Sequence, residues 1–323
     1  MAIFNLTAST PIPVVNDNIP SAIVAAGSET FEYTAHIGDQ TTTGVVIQPT
    51  GGGPFPFGIF CRGGKSGADS QLTDAKILGD STAAGASTFG THIGLSGFGI
   101  LYTMICPDYR QGAGLRAPSV LFPAGPVASG TDNFGVIGED VEDIIQTWSA
   151  RLELSKANSE KTFAMGASAG CMRLLLAMAE GLRPDCCVLR APLINLSDWE
   201  PNRNGHDAIP GFVGDGSTAW EDLTQADKNR LRARSPMQRT DELPIIPYLI
   251  IYGEDDATVP RAWVDAFRDK MEARGAEVQV VVVPGGTHAM AAQAVGVLST
   301  AAEKSRAVMA TVAANKFLAK HLA

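Results

Sequence analysis

Basic residues are scarce in this sequence and long apolar runs are absent, and each deficit argues against a class of protein. The chain has 25 Lys and Arg residues against 34 Asp and Glu residues, a formal net charge of −9, and the basic residues form no cluster. Phosphate binding requires such clusters, so no nucleic-acid partner is expected. No run approaches the roughly 18 consecutive apolar residues of a membrane-spanning helix. The first twenty residues lack the basic and apolar regions of a signal peptide, so no membrane partner is expected.

Cysteines and metal-binding motifs are also few. The sequence contains neither His-Glu-x-x-His nor Cys-x-x-Cys, and neither a metal nor another cofactor is expected. Its cysteines are odd in number and lie mostly within apolar strand-like or helix-like runs: Cys61, Cys106, Cys171, Cys186 and Cys187. This pattern is typical of reduced thiols in a core, and it predicts a soluble cytoplasmic protein.

Apolar segments of strand length alternate with segments of helical periodicity along most of the chain. Eight segments are predicted to be strands: TFEYTAHI, TTTGVVIQP, FPFGIFC, GILYTMIC, TFAMG, CCVLRAPL, PYLIIYG and EVQVVVVP. The alternation indicates an α/β fold with a mostly parallel eight-stranded sheet flanked by helices. A short polar turn separates the first two strands, which predicts an antiparallel hairpin leading into that sheet.

The chain is expected to form one domain over residues 1–323. Residues 1–30 are predicted to be irregular, because they combine several prolines with small polar residues. Two further stretches, 111–136 and 198–243, interrupt the alternation of strands and helices. Insertions of this length over an α/β core are often functional, and we expect them to be lids or substrate-binding segments.

The pentapeptide GASAG places Ser168 between a short strand and a helix-like segment. Such a strand–turn–helix context is the one in which Gly-x-Ser-x-Gly presents a nucleophilic serine, because Gly166 and Gly170 leave room for a strained turn. The following helix start supplies partial positive charge near a developing oxyanion. The pentapeptide alone is a weak signal in a chain with 34 glycines. A tight turn with an incidental serine is the alternative.

The segments after the last two predicted strands contain the partners that a nucleophilic serine needs. An acid-rich loop, EDDATVP, follows one strand, and GGTHAM with His288 follows the next. Loops at the carboxyl ends of parallel strands can meet on one side of a sheet, so the order serine, acid, histidine predicts a catalytic triad. Spacing alone permits Glu254, Asp255 or Asp256 as the acid. The other histidines lie elsewhere in the pattern: His36, His92, His206 and His321.

Several segments resemble the catalytic domain of the prolyl oligopeptidase family, within the α/β-hydrolases. The resemblance covers most of residues 31–320 and rests on CPDYRQG, DNFGVIGEDVEDI, GASAG and the stretch from RARSP to GGTHAM. It implies an α/β-hydrolase fold and makes the second aspartate of GEDDATVP, Asp256, the triad acid. Asp255 would then be a neighbour tied to the loop backbone.

The resemblance also implies an oxyanion hole built from backbone N–H groups. Many relatives have His-Gly-Gly or Tyr-Gly-Gly after the third strand, whereas this chain has Arg62, Gly63, Gly64 and Lys65. The two glycines keep a close backbone approach possible, but the tyrosine hydroxyl used by some relatives is missing. The implied donors are the N–H of Gly64 or Lys65, together with that of Ala169.

The expected function is a serine hydrolase that cleaves carboxylic esters through an acyl-enzyme. Family peptidases usually have a β-propeller before the catalytic domain, and only about 30 residues stand there in this sequence, which favours an esterase. A peptidase or aminoacyl-amide hydrolase is the first alternative. The second is a non-hydrolytic or silent α/β-hydrolase fold that serves as an acyltransferase or a binding protein. The expected partner is a small ester or a short peptide. The sequence specifies neither the substrate-binding residues nor the oligomeric state.

Two nucleotide-binding patterns are near matches only. GIFCRGGKSG resembles a phosphate-binding loop, but Ile59 stands where the first glycine is required and Gly58 lies one residue too early. GAGLRA fits the loose dinucleotide pattern, but Pro118 follows it where a helix is required. Nucleotide binding is therefore not expected.

Overall fold

The computed structural model describes residues 3–5, 28–37, 40–49, 52–61, 102–107, 139–196, 222–288 and 301–323. Within these residues the chain forms one sheet of nine strands. The strands are β1 (Ile3–Asn5), β2 (Ser28–Ile37), β3 (Gln40–Pro49), β4 (Phe55–Cys61), β5 (Thr103–Pro107), β6 (Ala157–Ala167), β7 (Cys186–Arg190), β8 (Tyr248–Gly253) and β9 (Val278–Val283).

The strand order confirms the mostly parallel sheet. The strands lie in the order β1-β2-β3-β5-β4-β6-β7-β8-β9. The pairs β1–β2, β2–β3 and β3–β5 are antiparallel, and every pair from β5 to β9 is parallel. The expected count of eight strands was one too low. The additional strand is β1, three residues that pair with β2 in a segment predicted to be irregular.

Helices cover both faces of the sheet, as the alternation predicted. The described helices are α1 (Glu139–Trp148), α2 (Ala169–Ala179), α3 (Gln225–Ala233), α4 (Arg261–Ala273) and α5 (Ala301–Leu322). On one face, Ile144 of α1 and Phe267 of α4 pack in one core cluster with Leu189 of β7. On the other face, Phe317 of α5 packs with Val188, the neighbour of Leu189 in the same strand. Successive residues of a strand point to opposite faces, so a strand buried on both sides is apolar throughout.

The second predicted insertion is packed against the core in its described part. Residues 222–243 contain α3 and two short 3-10 turns. Ser235 is fully buried, and its hydroxyl donates to Ile194 O at 3.3 Å and accepts from Leu196 N–H at 3.2 Å. This end of the insertion is therefore fixed to the segment that follows β7. Residues 111–136 and 198–221 lie outside the described residues, and their role as lids stays a prediction.

The core accounts for the cysteines for which burial is described. Cys61, Cys171, Cys186 and Cys187 are buried free thiols, which is the environment expected from the sequence. Among the described helices, none has the length and apolar character needed to cross a membrane.

Candidate active site

Ser168 occupies a sharp turn between β6 and α2. Its backbone has φ 50° and ψ −122°, a conformation that L-residues rarely adopt and that costs about 1–3 kcal/mol. Hydrogen bonds hold the turn in place. Ser168 N–H donates to Arg190 O at 2.8 Å, and Ser168 O accepts from Cys171 N–H at 3.0 Å and from Leu193 N–H at 3.2 Å. The end of β7 and the segment after it therefore stabilise the strained residue.

Gly166 is required by a close approach of the backbone. A Cβ atom at this position would lie 2.7 Å from Cys171 Cα and 2.9 Å from Cys171 N. The first turn of α2 folds back over Gly166 and can reach this position only because no side chain is there. Ala169 is the first residue of α2, and a helix has no internal acceptor for its first N–H groups. The positive end of the helix dipole therefore lies directly beside Ser168.

The structure brings Ser168, His288 and Asp256 together in one chain of hydrogen bonds. Ser168 Oγ lies 2.9 Å from His288 Nε2, and His288 Nδ1 lies 3.0 Å from Asp256 Oδ2 and 3.2 Å from Oδ1. A carboxylate oxygen accepts hydrogen bonds, so this contact favours the imidazole tautomer with its proton on Nδ1. The other ring nitrogen, Nε2, is then an acceptor for the serine hydroxyl.

The carboxylate of Asp256 is buried and fixed from two directions. Its side chain has 0% exposure, whereas that of His288 has 21%. Besides the imidazole, Asp256 Oδ1 accepts from Thr258 N–H at 2.8 Å and from Val259 N–H at 2.9 Å. The Tyr252 hydroxyl donates to Val259 O at 2.8 Å and closes the same loop. The carboxylate is thereby aligned with the imidazole before any substrate arrives.

The loops that carry Asp256 and His288 are joined by backbone contacts. Asp255 N–H donates to Gly286 O at 2.7 Å, and Glu254 N–H donates to Val283 O at 3.0 Å. A Cβ at Gly253 would lie 2.3 Å from Gly286 O, so the glycine permits the loops to meet. Of the three acids that spacing allowed, Asp256 is the one whose carboxylate is bonded to His288. Glu254 and Asp255 are exposed.

The remaining predicted site residues are only partly described. Ala169 adjoins Ser168 as expected, whereas Arg62, Gly63, Gly64 and Lys65 lie outside the described residues. In the parallel pairing of β4 and β6, Cys61 lies beside Gly166, so β4 ends next to the serine turn. Among the described residues, no group of three or more His, Cys, Asp or Glu side chains could hold a metal ion.

Arg190 was not anticipated from the sequence. Its carbonyl accepts from Ser168 N–H, and its side chain is 2% exposed at the end of β7. Burial lowers the pKa of its guanidinium to about 10, and Cys171 and Tyr102 lie close enough to influence it. The sequence pattern around an arginine in an apolar strand does not show which residues the arginine contacts in the fold. Its proximity to the serine depends on the pairing of β7 with β6.

The fold and the site define the class of the protein. A serine on the turn after β6, with an acid loop after β8 and a histidine loop after β9 of the same parallel sheet, is the arrangement of an α/β-hydrolase. Residues 136–305, slightly more than half of the chain, match the prolyl oligopeptidase family. The chain belongs to this family and is a serine hydrolase.

Solved structures similar to this chain include both esterases and peptidases. A thermostable esterase from Pseudomonas putida aligns with a TM-score of 0.61 at 18% identity, over 94% of this chain and 88% of the esterase. Puromycin hydrolase aligns with a TM-score of 0.61 at 18% identity, over 94% of this chain and 40% of its own. The acylaminoacyl peptidase of Pyrococcus horikoshii aligns with a TM-score of 0.59 at 16% identity, over 92% and 42%. A comparison with curated proteins gives no match. At these identities the likeness shows the fold.

Proposed function

We propose that this protein hydrolyses carboxylic esters through an acyl-enzyme formed on Ser168. The observation that supports the proposal most directly is the chain of hydrogen bonds from Ser168 Oγ through His288 to Asp256. A serine hydroxyl is a weak nucleophile unless a base accepts its proton, and an imidazole is an effective base when a carboxylate orients it. Each group in this chain has the partner that its role requires.

Acylation begins when Ser168 Oγ attacks the ester carbonyl carbon and His288 Nε2 accepts the hydroxyl proton. The imidazolium that forms is stabilised by the buried carboxylate of Asp256. As the tetrahedral intermediate collapses, the bond to the alcohol oxygen breaks and Nε2 returns the proton to the leaving alcohol. In deacylation, His288 removes a proton from water, and the hydroxide attacks the acyl carbon. The carboxylic acid then leaves, and Ser168 Oγ recovers its proton.

The negative charge on the carbonyl oxygen needs donors that are in place before the reaction. The proposed donors are the N–H of Ala169 at the start of α2 and the N–H of Gly64 or Lys65. The helix dipole at Ala169 favours the same charge. One such donor accounts for about 10²–10³-fold in turnover in related chemistry. Because the donors belong to the backbone, the fold itself holds them in position.

The proposal puts ester cleavage first because several solved esterases share the fold. Puromycin hydrolase aligns equally well over this chain, so the choice between the two reactions depends on the assays below. Peptide or aminoacyl-amide cleavage is the second candidate, since the family is that of prolyl oligopeptidase and the acylaminoacyl peptidase shares the fold. The proposed substrate is accordingly a small ester, with a short peptide as the alternative. Buried free thiols support the further proposal of a reducing, cytoplasmic setting.

Intact mass after exposure to a fluorophosphonate tests the proposed nucleophile. The wild type should gain one adduct that maps to Ser168, and Ser168→Ala and His288→Ala should gain none or gain it far more slowly. An adduct elsewhere, or equal labelling of Ser168→Ala, would contradict the assignment. Short-chain p-nitrophenyl esters and aminoacyl-p-nitroanilides then separate the two reactions. A larger kcat/KM on the anilides would replace ester hydrolysis by amide hydrolysis.

A further inference from the structure

We propose that Glu254 is a positioning residue that fixes the loop carrying His288. The inference rests on the proposed function, because its consequence is the alignment of His288 with Ser168. Glu254 is exposed and lies two residues before Asp256, so the sequence offered it only as a possible triad acid. Its carboxylate has a different contact in the structure.

Glu254 Oε2 accepts the backbone N–H of Gly285 at 2.8 Å. Gly285 lies three residues before His288 and has φ 61°, in the left-handed region that favours glycine. The next N–H, that of Gly286, donates to Val283 O at 3.0 Å and completes a tight turn at the end of β9. The carboxylate therefore holds the residue at which the chain turns toward His288.

Arg306 of α5 packs against the same glycine. A Cβ built at Gly285 would lie 2.6 Å from Arg306 Nη2 and 3.1 Å from its Cζ. Gly285 is therefore held by a hydrogen bond to Glu254 and by contact with the Arg306 guanidinium. A side chain at this position would displace the guanidinium as well as strain the backbone.

The backbone hydrogen bonds between the two loops do not involve the N–H of Gly285. Glu254 N–H donates to Val283 O, and Asp255 N–H donates to Gly286 O. The two acceptors are carbonyl groups that lie on either side of Gly285 along the chain. The Glu254 carboxylate supplies an acceptor for the N–H between them. Loss of this bond should let the Pro284–Gly285 peptide rotate and move the imidazole relative to Ser168 Oγ.

The reaction is sensitive to such a displacement, because His288 must exchange a proton with Ser168 in both acylation and deacylation. A misplacement of about 1 Å can reduce a rate by about 10²-fold. Substrate binding does not depend on the imidazole in the same way. A loss of positioning should therefore lower kcat while KM changes little.

Three variants test the proposal: Glu254→Ala, Glu254→Gln and Asp255→Ala. Glu254→Ala removes the acceptor and should lower kcat about tenfold, with KM within about twofold and an equally slower fluorophosphonate reaction. Glu254→Gln keeps a side-chain oxygen that can accept the Gly285 N–H, so it should retain kcat within about twofold. Asp255→Ala removes the adjacent exposed carboxylate but keeps the backbone hydrogen bond from residue 255 to Gly286 O. Its kcat should therefore also be close to that of the wild type. All are compared at a temperature where circular dichroism shows them folded.

Each departure from this ranking is informative. Wild-type kcat in Glu254→Ala would overturn the proposal, as would a loss in Glu254→Gln equal to that in Glu254→Ala, since charge would then be responsible. An equal loss of kcat in Asp255→Ala would show that any change in the acidic loop slows the reaction, and this result would also overturn the proposal. Failure of the wild type to react with the fluorophosphonate would instead contradict the proposed function.

Discussion

The backbone of Ser168 is strained, and the stabilities of two variants at this position can be compared to measure the strain. Ser168→Ala and Ser168→Gly both remove the hydroxyl, but only alanine keeps a Cβ at φ 50° and ψ −122°. Strain of about 1–3 kcal/mol exceeds the flexibility cost of glycine, about 0.5–1 kcal/mol. We expect Ser168→Gly to be more stable than Ser168→Ala by about 1 kcal/mol, measured by urea unfolding.

An ordinary helix position provides the control. Ala266 is an exposed residue in the middle of α4, where glycine should destabilise the protein by about 0.5–1 kcal/mol. Opposite signs at the two positions would establish strain at Ser168. The same sign at both would mean that the turn holds Ser168 without strain.

At the residue scale, the sequence pattern singled out the serine and the histidine of the proposed triad but could not choose the acid. Asp255 and Asp256 are adjacent, and their distance along the chain from the serine and the histidine does not distinguish them. The choice depends on how the loop folds: Thr258 and Val259 direct their N–H groups at Asp256 Oδ1, whereas Asp255 contributes its backbone N–H to the other loop. The bonds to Asp256 join backbone N–H groups to a side-chain carboxylate, and either aspartate could accept them until the fold of the loop is known. The family resemblance supplied the assignment that spacing could not.

At the scale of elements, Gly253 controls the meeting of two loops. A Cβ at Gly253 would lie 2.3 Å from Gly286 O and 2.6 Å from Gly286 C, and both atoms belong to backbone that leads to His288. Overpacking of this kind costs about 1–3 kcal/mol. We therefore expect Gly253→Ala to lower both the free energy of unfolding and kcat, because relief of the clash moves His288 away from Asp256. Urea unfolding and initial rates on a p-nitrophenyl ester measure the two effects.

Gly52 is a suitable comparison for that substitution. It is exposed, and a Cβ there would have nothing within 4 Å. Gly52→Ala should leave both quantities at wild-type values. Full activity in Gly253→Ala would mean that the loops can separate without disturbing the imidazole, contrary to the expected coupling.

The elements themselves were predictable where the apolar pattern was strong. The buried strands β7 and β8 and the helix α4 follow from uninterrupted apolar runs and from a 3.6-residue period closed by glycine. The three-residue strand β1 has no period of its own, because pairing with β2 defines it. The position of β5 between β3 and β4 likewise depends on tertiary packing, which a local pattern does not contain.

At the scale of the whole molecule, both faces of one sheet are covered, and this burial changes the titration of the core thiols. Burial raises the pKa of Cys171, Cys186 and Cys187 above the usual value. In the unfolded chain, thiols ionise near pH 8.5, whereas the folded state keeps them protonated at that pH. A group with a raised pKa in the folded state stabilises the fold fully below its unfolded-state pKa. That stability decreases as the pH rises from the unfolded-state pKa toward the folded-state pKa.

We therefore expect the free energy of unfolding to fall between about pH 7.5 and 9.5, by up to about 1.4 kcal/mol for each such thiol. Tyr252 contributes little in this range, because a tyrosine of the unfolded chain ionises only near pH 10, and burial raises its pKa in the folded state to about 12. The lowered pKa of Arg190, about 10, also lies above this range. Urea unfolding at several pH values measures the slope. Cys187→Ala should make the fall smaller, because one of the buried thiols is gone. Val188→Ala, in the same strand, should lower stability at every pH and leave the slope unchanged. An unaltered slope in Cys187→Ala would show that the alkaline loss arises from groups other than the buried thiols.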